Sequence, residues 1–124
     1  MENKSLDDAA SAQDWLKRAE AIIRDRFSES VSLNEVAKTV AIHPVHLART
    51  FRQHYRCSIG EYVRKLRVEF AREAIVTTDC ALTDIGMAAG FYDQSHFART
   101  FKHATGLTPS ALTSNDSYSQ FAGN

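Results

Sequence analysis

His46-Leu47-Ala48-Arg49-Thr50-Phe51-Arg52 and His96-Phe97-Ala98-Arg99-Thr100-Phe101-Lys102 are one phrase written twice, with only Leu/Phe and Arg/Lys exchanged. An internal repeat constrains architecture before any other pattern does. At about 100° per helical residue, Leu47 and Phe51 share one face with His54 beside them, and Val45, Arg49 and Arg52 share the opposite face. In the second copy Phe97 and Phe101 face inward, while Ser95, Arg99 and Lys102 face outward. One such segment alone reads as an amphipathic helix with a solvated basic face. Two copies with both faces matched point to a shared task.

The repeat grows when followed outward. Ser32-Leu33-Asn34-Glu35 has the Ser-x-x-Glu form of a capping box and opens a short helix to about Val40, with Leu33, Val36, Ala37 and Val40 inward. Ala41-Ile42-His43 makes a turn, and Pro44 suits the first position of the next helix, which carries the first copy and ends near Arg56. The second copy is preceded in the same way. A short helix from Leu82 to Ala89 sets Leu82, Ile85 and Gly86 against Leu33, Val36 and Ala37. Gly90 ends it, and Phe91-Tyr92-Asp93 turns the chain. The offset is 49 residues between Leu33 and Leu82 and 50 between Arg49 and Arg99, so the second turn holds one extra residue.

Between the two units, Ser58-Ile59-Gly60-Glu61 is a second capping box. It opens a long linker helix over about 59–77, with Ile59, Tyr62, Val63, Leu66, Phe70 and Ala74 as its buried stripe. Ahead of the first unit a helix is expected from about Ser11 to Phe27, burying Trp15, Ala19, Ile22 and Ile23. Thr108-Pro109 begins a last short turn of helix. No strand-like alternation occurs. The expected class is all-α, with one domain over residues 11–112. That domain holds a first helix-turn-helix over about 32–56, the linker helix, and a second helix-turn-helix over about 82–105. Residues 1–10 read as a flexible N-terminal segment and residues 113–124, rich in Ser, Asn and Asp, as a disordered tail.

The chain of 124 residues has a formal net charge of zero, but the charge is unevenly spread. Residues 1–37 carry five basic and eight acidic side chains, residues 38–72 eight and two, and residues 73–124 two and five. A basic middle in a neutral chain can present a phosphate-binding face, although a solvated helix surface has the same composition. No apolar run approaches the roughly 20 residues that span a bilayer, and the N-terminus lacks the pattern of a secretory signal. Cys57 and Cys80 are far apart and read as plain thiols of a reducing cytoplasm.

A short helix, a tight turn and a second helix with an Arg-centred outer face is the helix-turn-helix plan. An α-helix fits the major groove of DNA, and side chains near the start of the second helix reach base edges while the first helix braces it. Arginine can pair with guanine O6 and N7, and glutamine with adenine, at two points. Arg49, Arg99 and Gln94 are therefore the candidates for polar base readout, with Val45 and Ala48 placed to touch a thymine methyl. Arg52, Lys102 and the hydroxyls of Thr50 and Thr100 are candidates for phosphate contacts, which position a protein without reading sequence.

The second unit, Ile85-Gly86-Met87-Ala88-Ala89-Gly90-Phe91-Tyr92-Asp93-Gln94-Ser95-His96-Phe97-Ala98-Arg99-Thr100-Phe101-Lys102 followed by Gly106-Leu107-Thr108-Pro109, resembles the signature of the AraC/XylS family of bacterial transcription regulators. Residues 33–62 are similar to that family's first unit, and the likeness covers roughly 12–112. It implies about seven helices, and two recognition helices that enter successive major grooves of an asymmetric promoter site. By position it carries base-reading roles to Val45, Ala48 and Arg49 in one unit and to Gln94, Ser95 and Arg99 in the other. Double-stranded DNA and RNA polymerase are the implied partners, together with a sensor domain outside this chain, and no membrane. Two positions depart from the family: Arg56 stands where a helix-ending Gly is usual, and Leu112-Thr113 replaces a frequent Tyr-Arg.

His43 and His46 are three apart but find no third ligand at a useful spacing, so no metal is expected. Some members of the family are repair methyltransferases with a clustered-cysteine metal site; Cys57 and Cys80 form no such cluster, and neither an enzyme nor a cofactor is expected. The alternative is an all-helical protein-interaction module that turns its basic helix faces toward an acidic partner.

Overall fold

The computed structural model describes the backbone of residues 2–113 and the side chains of residues 13–113. Six helices are bounded: α1 (Glu2–Arg26), α2 (Leu33–Val40), α3 (Pro44–Tyr55), α4 (Ile59–Thr77), α5 (Leu82–Ala89) and α6 (Gln94–Thr105). A seventh, α7, starts at residue 109 and is helical through residue 113. Among the described residues there is no strand, and the class is all-α.

The helix limits follow from local chemistry. Ser32 Oγ accepts the Glu35 N–H at 3.1 Å, and Ser58 Oγ accepts the Glu61 N–H at 3.1 Å. At the second box the reciprocal bond differs from the expected form. The Ser58 hydroxyl itself donates to Glu61 Oε1 at 3.2 Å. Ala41 and Gly90 close α2 and α5 in the left-handed conformation, with φ of 60° and 104°. In both, the following N–H reaches back five residues: Ile42 to the Ala37 carbonyl at 2.9 Å and Phe91 to the Gly86 carbonyl at 3.0 Å. With the Ala41 and Gly90 N–H groups donating to the Lys38 and Met87 carbonyls at 3.2 and 3.0 Å, this pair of hydrogen bonds makes an abrupt stop and gives the tight turn its shape.

The duplication reaches one element further than the sequence comparison indicated. Arg56 and Gly106 close α3 and α6 with φ of 64° and 85°. Their N–H groups donate to the Arg52 and Lys102 carbonyls at 2.9 and 2.8 Å. Two residues on, Thr108 caps α7 as Ser58 caps α4, with its Oγ1 accepting the Ala111 N–H at 3.0 Å. The start of α7 is thus the counterpart of the start of α4.

The chain divides into two compact units after Val63. In the first, Trp15, Leu16, Ala19 and Ile23 of α1 are buried, as are Val36, Ala37 and Val40 of α2 and Leu47 and Phe51 of α3. Phe51, Tyr55 and Tyr62 form an aromatic group with centroids 4.5–5.5 Å apart. Tyr62 also ties α4 to α1: its hydroxyl donates to Glu20 Oε1 at 2.7 Å and accepts from Arg24 Nη2 at 2.9 Å. Burial pushes the Glu20 carboxyl up, but the bonds from Tyr62 and Arg24 and the Arg24 charge outweigh it and leave the group below its ordinary value. In the second unit Val68, Ala71 and Ile75 pack with Ile85, Ala89, Phe91, Phe97 and Phe101, and Leu82 and Leu112 close the edge.

Three expectations differ from the structure. First, α1 begins at Glu2 rather than near Ser11, so residues 2–10, read as a flexible segment, are helical. That stretch contains no Gly or Pro, and its Leu and Ala residues favour helix. Second, Phe70, placed in the buried stripe of α4, is 40% exposed. The burial along α4 does not keep to one face: Val68, Ala71 and Ile75 are taken into the second core instead. Third, His54 is exposed rather than turned inward beside Phe51. Residues 114–124, most of the segment read as a disordered tail, lie outside the described residues.

Candidate nucleic-acid interface

Each recognition helix is held from behind by its short partner. α2 and α1 both contact α3, and α5 contacts α6. Leu47 and Phe51 are fully buried in the first unit, Phe97 and Phe101 in the second. With these seats fixed, the helical period leaves three matched positions outward in both, and Gln94, whose counterpart Pro44 is half-buried, outward on α6 alone. Val45, Arg49 and Arg52 are exposed on α3, and Gln94, Ser95, Arg99 and Lys102 on α6. Ala48, Thr50 and Thr100 are half-buried.

The cationic members differ in how they are engaged. Arg49, Arg99 and Lys102 have no hydrogen-bond or ion-pair partner among the described residues. Arg52 Nη2 stands 3.7 Å from Glu61 Oε1, with both side chains about half exposed. Such an exposed pair is worth at most about 1 kcal/mol, so a phosphate can compete for the guanidinium. Thr50 lies on the flank, one helical step from Arg49, in a cleft with Gln13, Leu16, Gln53 and His54.

The N-terminal ends of α3 and α6 are built differently. In the first unit His43 Nδ1 accepts the Val45 N–H at 3.2 Å, and Pro44 occupies the first turn. In the second, Asp93 Oδ1 accepts the His96 N–H at 2.7 Å. The Gln94 amide comes within 3.2 Å of where a Cβ would stand on Gly86, and the Phe97 ring comes within 2.6 Å of that point. Gly86 is thus required by close approach of α5 to α6. By position in the repeat its counterpart in the first unit is Ala37, and that of Phe97 is the smaller Leu47.

Three of the histidines, His43, His46 and His96, are scaffold groups. His46 packs on Trp15 with ring centroids 5.4 Å apart. His96 lies against Phe91 at 5.3 Å and is stacked on Tyr92 at 4.7 Å. His43 spends one ring nitrogen on its cap. Among the described residues no group of three or more His, Cys, Asp or Glu side chains is placed to hold a metal ion, and no helix is long and apolar enough to cross a membrane. Cys57 is buried, Cys80 is exposed, and both are free thiols. Tyr92 stands in the second turn, where the one-residue insertion falls.

Two helix-turn-helix units in one chain, each with an outward arginine at the same point of its second helix, define a duplicated helix-turn-helix domain. A family model described as a helix-turn-helix domain matches residues 36–115, and the chain belongs to this family, in its AraC-type form. Among solved structures, the C-terminal domain of AraT, a response regulator from Geobacillus stearothermophilus, is 28% identical with a TM-score of 0.78 over 82% of this chain and 84% of that one. A transcriptional regulator from Chromobacterium violaceum, of the AraC-type DNA-binding domain-containing proteins, is 26% identical with a TM-score of 0.77 over 86% and 96%. The chain is also 29% identical to the bifunctional transcriptional activator/DNA repair enzyme AdaA of Bacillus subtilis, over 77% of this chain and 46% of AdaA. It spans less than half the length of that relative.

Proposed function

We propose that this chain binds double-stranded DNA sequence-specifically as part of a bacterial transcription regulator. Each of its two recognition helices enters a major groove of an asymmetric promoter site. The observation that carries this reading is the pair Arg49 and Arg99. They occupy the same point on two identically seated helices, both exposed and both without a partner among the described residues. Arg99 and Gln94 read base edges from α6. Val45, Ala48 and Arg49 meet bases from α3, with small apolar contacts dominating. Ser95 adds a short polar contact. Arg52, Lys102, Thr50 and Thr100 grip phosphates. The site is asymmetric because the residues that start the two helices, Pro44-Val45 and Gln94-Ser95, differ. RNA polymerase and a sensor domain outside this chain are the further partners of the proposed regulator, whose place of work is the cytoplasm.

Selection from a random duplex pool, followed by affinity measurement against salt, tests the reading. Log affinity is expected to fall linearly with log salt, by about 0.9 per neutralised phosphate. Arg99→Ala is expected to cost about 1–3 kcal/mol on the selected site and to relax preference at one base position, whereas Lys102→Ala weakens all sequences alike. Binding that is absent, or indifferent to salt, across the pool would instead favour a protein-interaction module.

A further inference from the structure

Tyr92 is the residue that the second turn has and the first lacks. In the first turn Ala41 closes α2, Ile42 is half-buried and His43 caps α3. In the second, Gly90 closes α5, Phe91 is 3% exposed and Asp93 caps α6. Phe91 therefore does the work of Ile42, and Tyr92 is left over. It adds nothing to the core: at 75% it is the most exposed large apolar side chain among the described residues. Yet it is held in place. Its ring stacks on His96 at 4.7 Å with 27° between planes, and His96 is in turn set against Phe91, 5.3 Å away. The phenol is thereby fixed at the N-terminal end of α6, two residues ahead of Gln94.

The charge of the two units gives this a purpose. Residues 33–56 carry Lys38, Arg49, Arg52 and Arg56 against Glu35 alone, while residues 82–105 carry Arg99 and Lys102 against Asp84 and Asp93. The second unit has less cationic charge with which to hold a phosphate backbone. A tyrosine hydroxyl donates to phosphate oxygen without bringing charge. We propose that Tyr92 is a DNA-backbone contact of the second unit, a neutral phosphate donor pre-positioned by its stack on His96. The proposal rests on the DNA-binding reading above.

The test uses the whole chain and the duplex selected by the wild type. Tyr92→Phe keeps the ring and its stack and removes only the hydroxyl. It is expected to weaken binding roughly tenfold, the loss of one hydrogen bond to a charged group. The loss should be alike on cognate and unrelated duplexes, with the slope of log affinity against log salt unchanged. Lys102→Ala, by contrast, lowers that slope by about one. Tyr92→Ala is expected to lose more, because the ring contact goes too, and its thermal unfolding checks that the fold survives. Wild-type affinity in Tyr92→Phe, or a changed base preference, overturns the Tyr92 contact while leaving DNA binding intact. Failure of the wild type to bind any duplex overturns the underlying reading instead.

Discussion

Arg56 and Gly106 hold the same backbone position, one at a cost and one without. An L-residue in the left-handed region pays roughly 1–2 kcal/mol, and Arg56 stands there with φ of 64°. Glycine removes the strain but has more freedom to lose on folding. Arg56→Gly is therefore expected to stabilise the protein by about 0.5–1 kcal/mol, seen as a rise of several degrees in thermal midpoint. Gly106→Ala is expected to destabilise by a similar amount, although nothing lies within 4 Å of its added Cβ. Unchanged or opposite midpoints would show that the ends of α3 and α6 are not set by φ. The resemblance to the family already marked Arg56 as standing in a glycine's place. What it could not show is that the backbone keeps the glycine's conformation, because the turn is imposed by the buried residues on either side, Phe51 and Cys57, rather than by Arg56.

Between helices, α5 comes close to α6 at Gly86. Alanine at Gly86 would favour helix by about 1 kcal/mol but would bring a Cβ to 2.6 Å from Phe97 Cδ2. The Phe97 ring has little room to yield, being stacked on Phe91 at 5.0 Å and edge-on to Phe101 at 5.8 Å. Overpacking of this kind costs about 1–3 kcal/mol, so Gly86→Ala is expected to destabilise in urea titration. Adding Phe97→Leu, which restores the pairing of Ala37 with Leu47, should recover part of the loss. A coupling of about 1 kcal/mol or more in that double-mutant cycle is the expected result; additive losses would separate the two positions. Most helix limits were legible because their signals are local: Ser32, Pro44, Ser58 and Gly90 act within one turn of themselves. The start of α1 was not, since residues 2–12 carry no stop signal. Nor was the exposure of Phe70, since periodicity names a face but not the core that claims it. The outward residues of α3 and α6 were legible because Leu47, Phe51, Phe97 and Phe101 fix both helices by the same period. The stack of Tyr92 on His96 depends on neighbours that spacing along the chain does not reveal.

At the scale of the whole molecule, one carboxyl links the stability of the first unit to acid. The Glu20–Tyr62–Arg24 group belongs to the first unit, and its carboxyl is held below its ordinary value. Such a group contributes stability above the unfolded carboxylate range and loses it as pH falls through the depressed folded value. The only tryptophan, Trp15, is buried in that same unit and reports on it by fluorescence. On acidification the fluorescence transition is expected to weaken, and Glu20→Gln should flatten that acid limb. An acid limb that survives in Glu20→Gln would place its origin elsewhere. The fit of Gly86 against Phe97 bears on inheritance as well as on stability. A recognition helix looks like an exchangeable cassette, yet moving residues 94–105 into the place of 44–55 would carry a phenylalanine onto Ala37, where only a leucine has been accommodated. The transplant must bring its glycine with it. What can be copied, shuffled or engineered from such a duplicated chain is therefore the pair of helices, and a new specificity grafted onto one helix alone inherits a packing debt from the other.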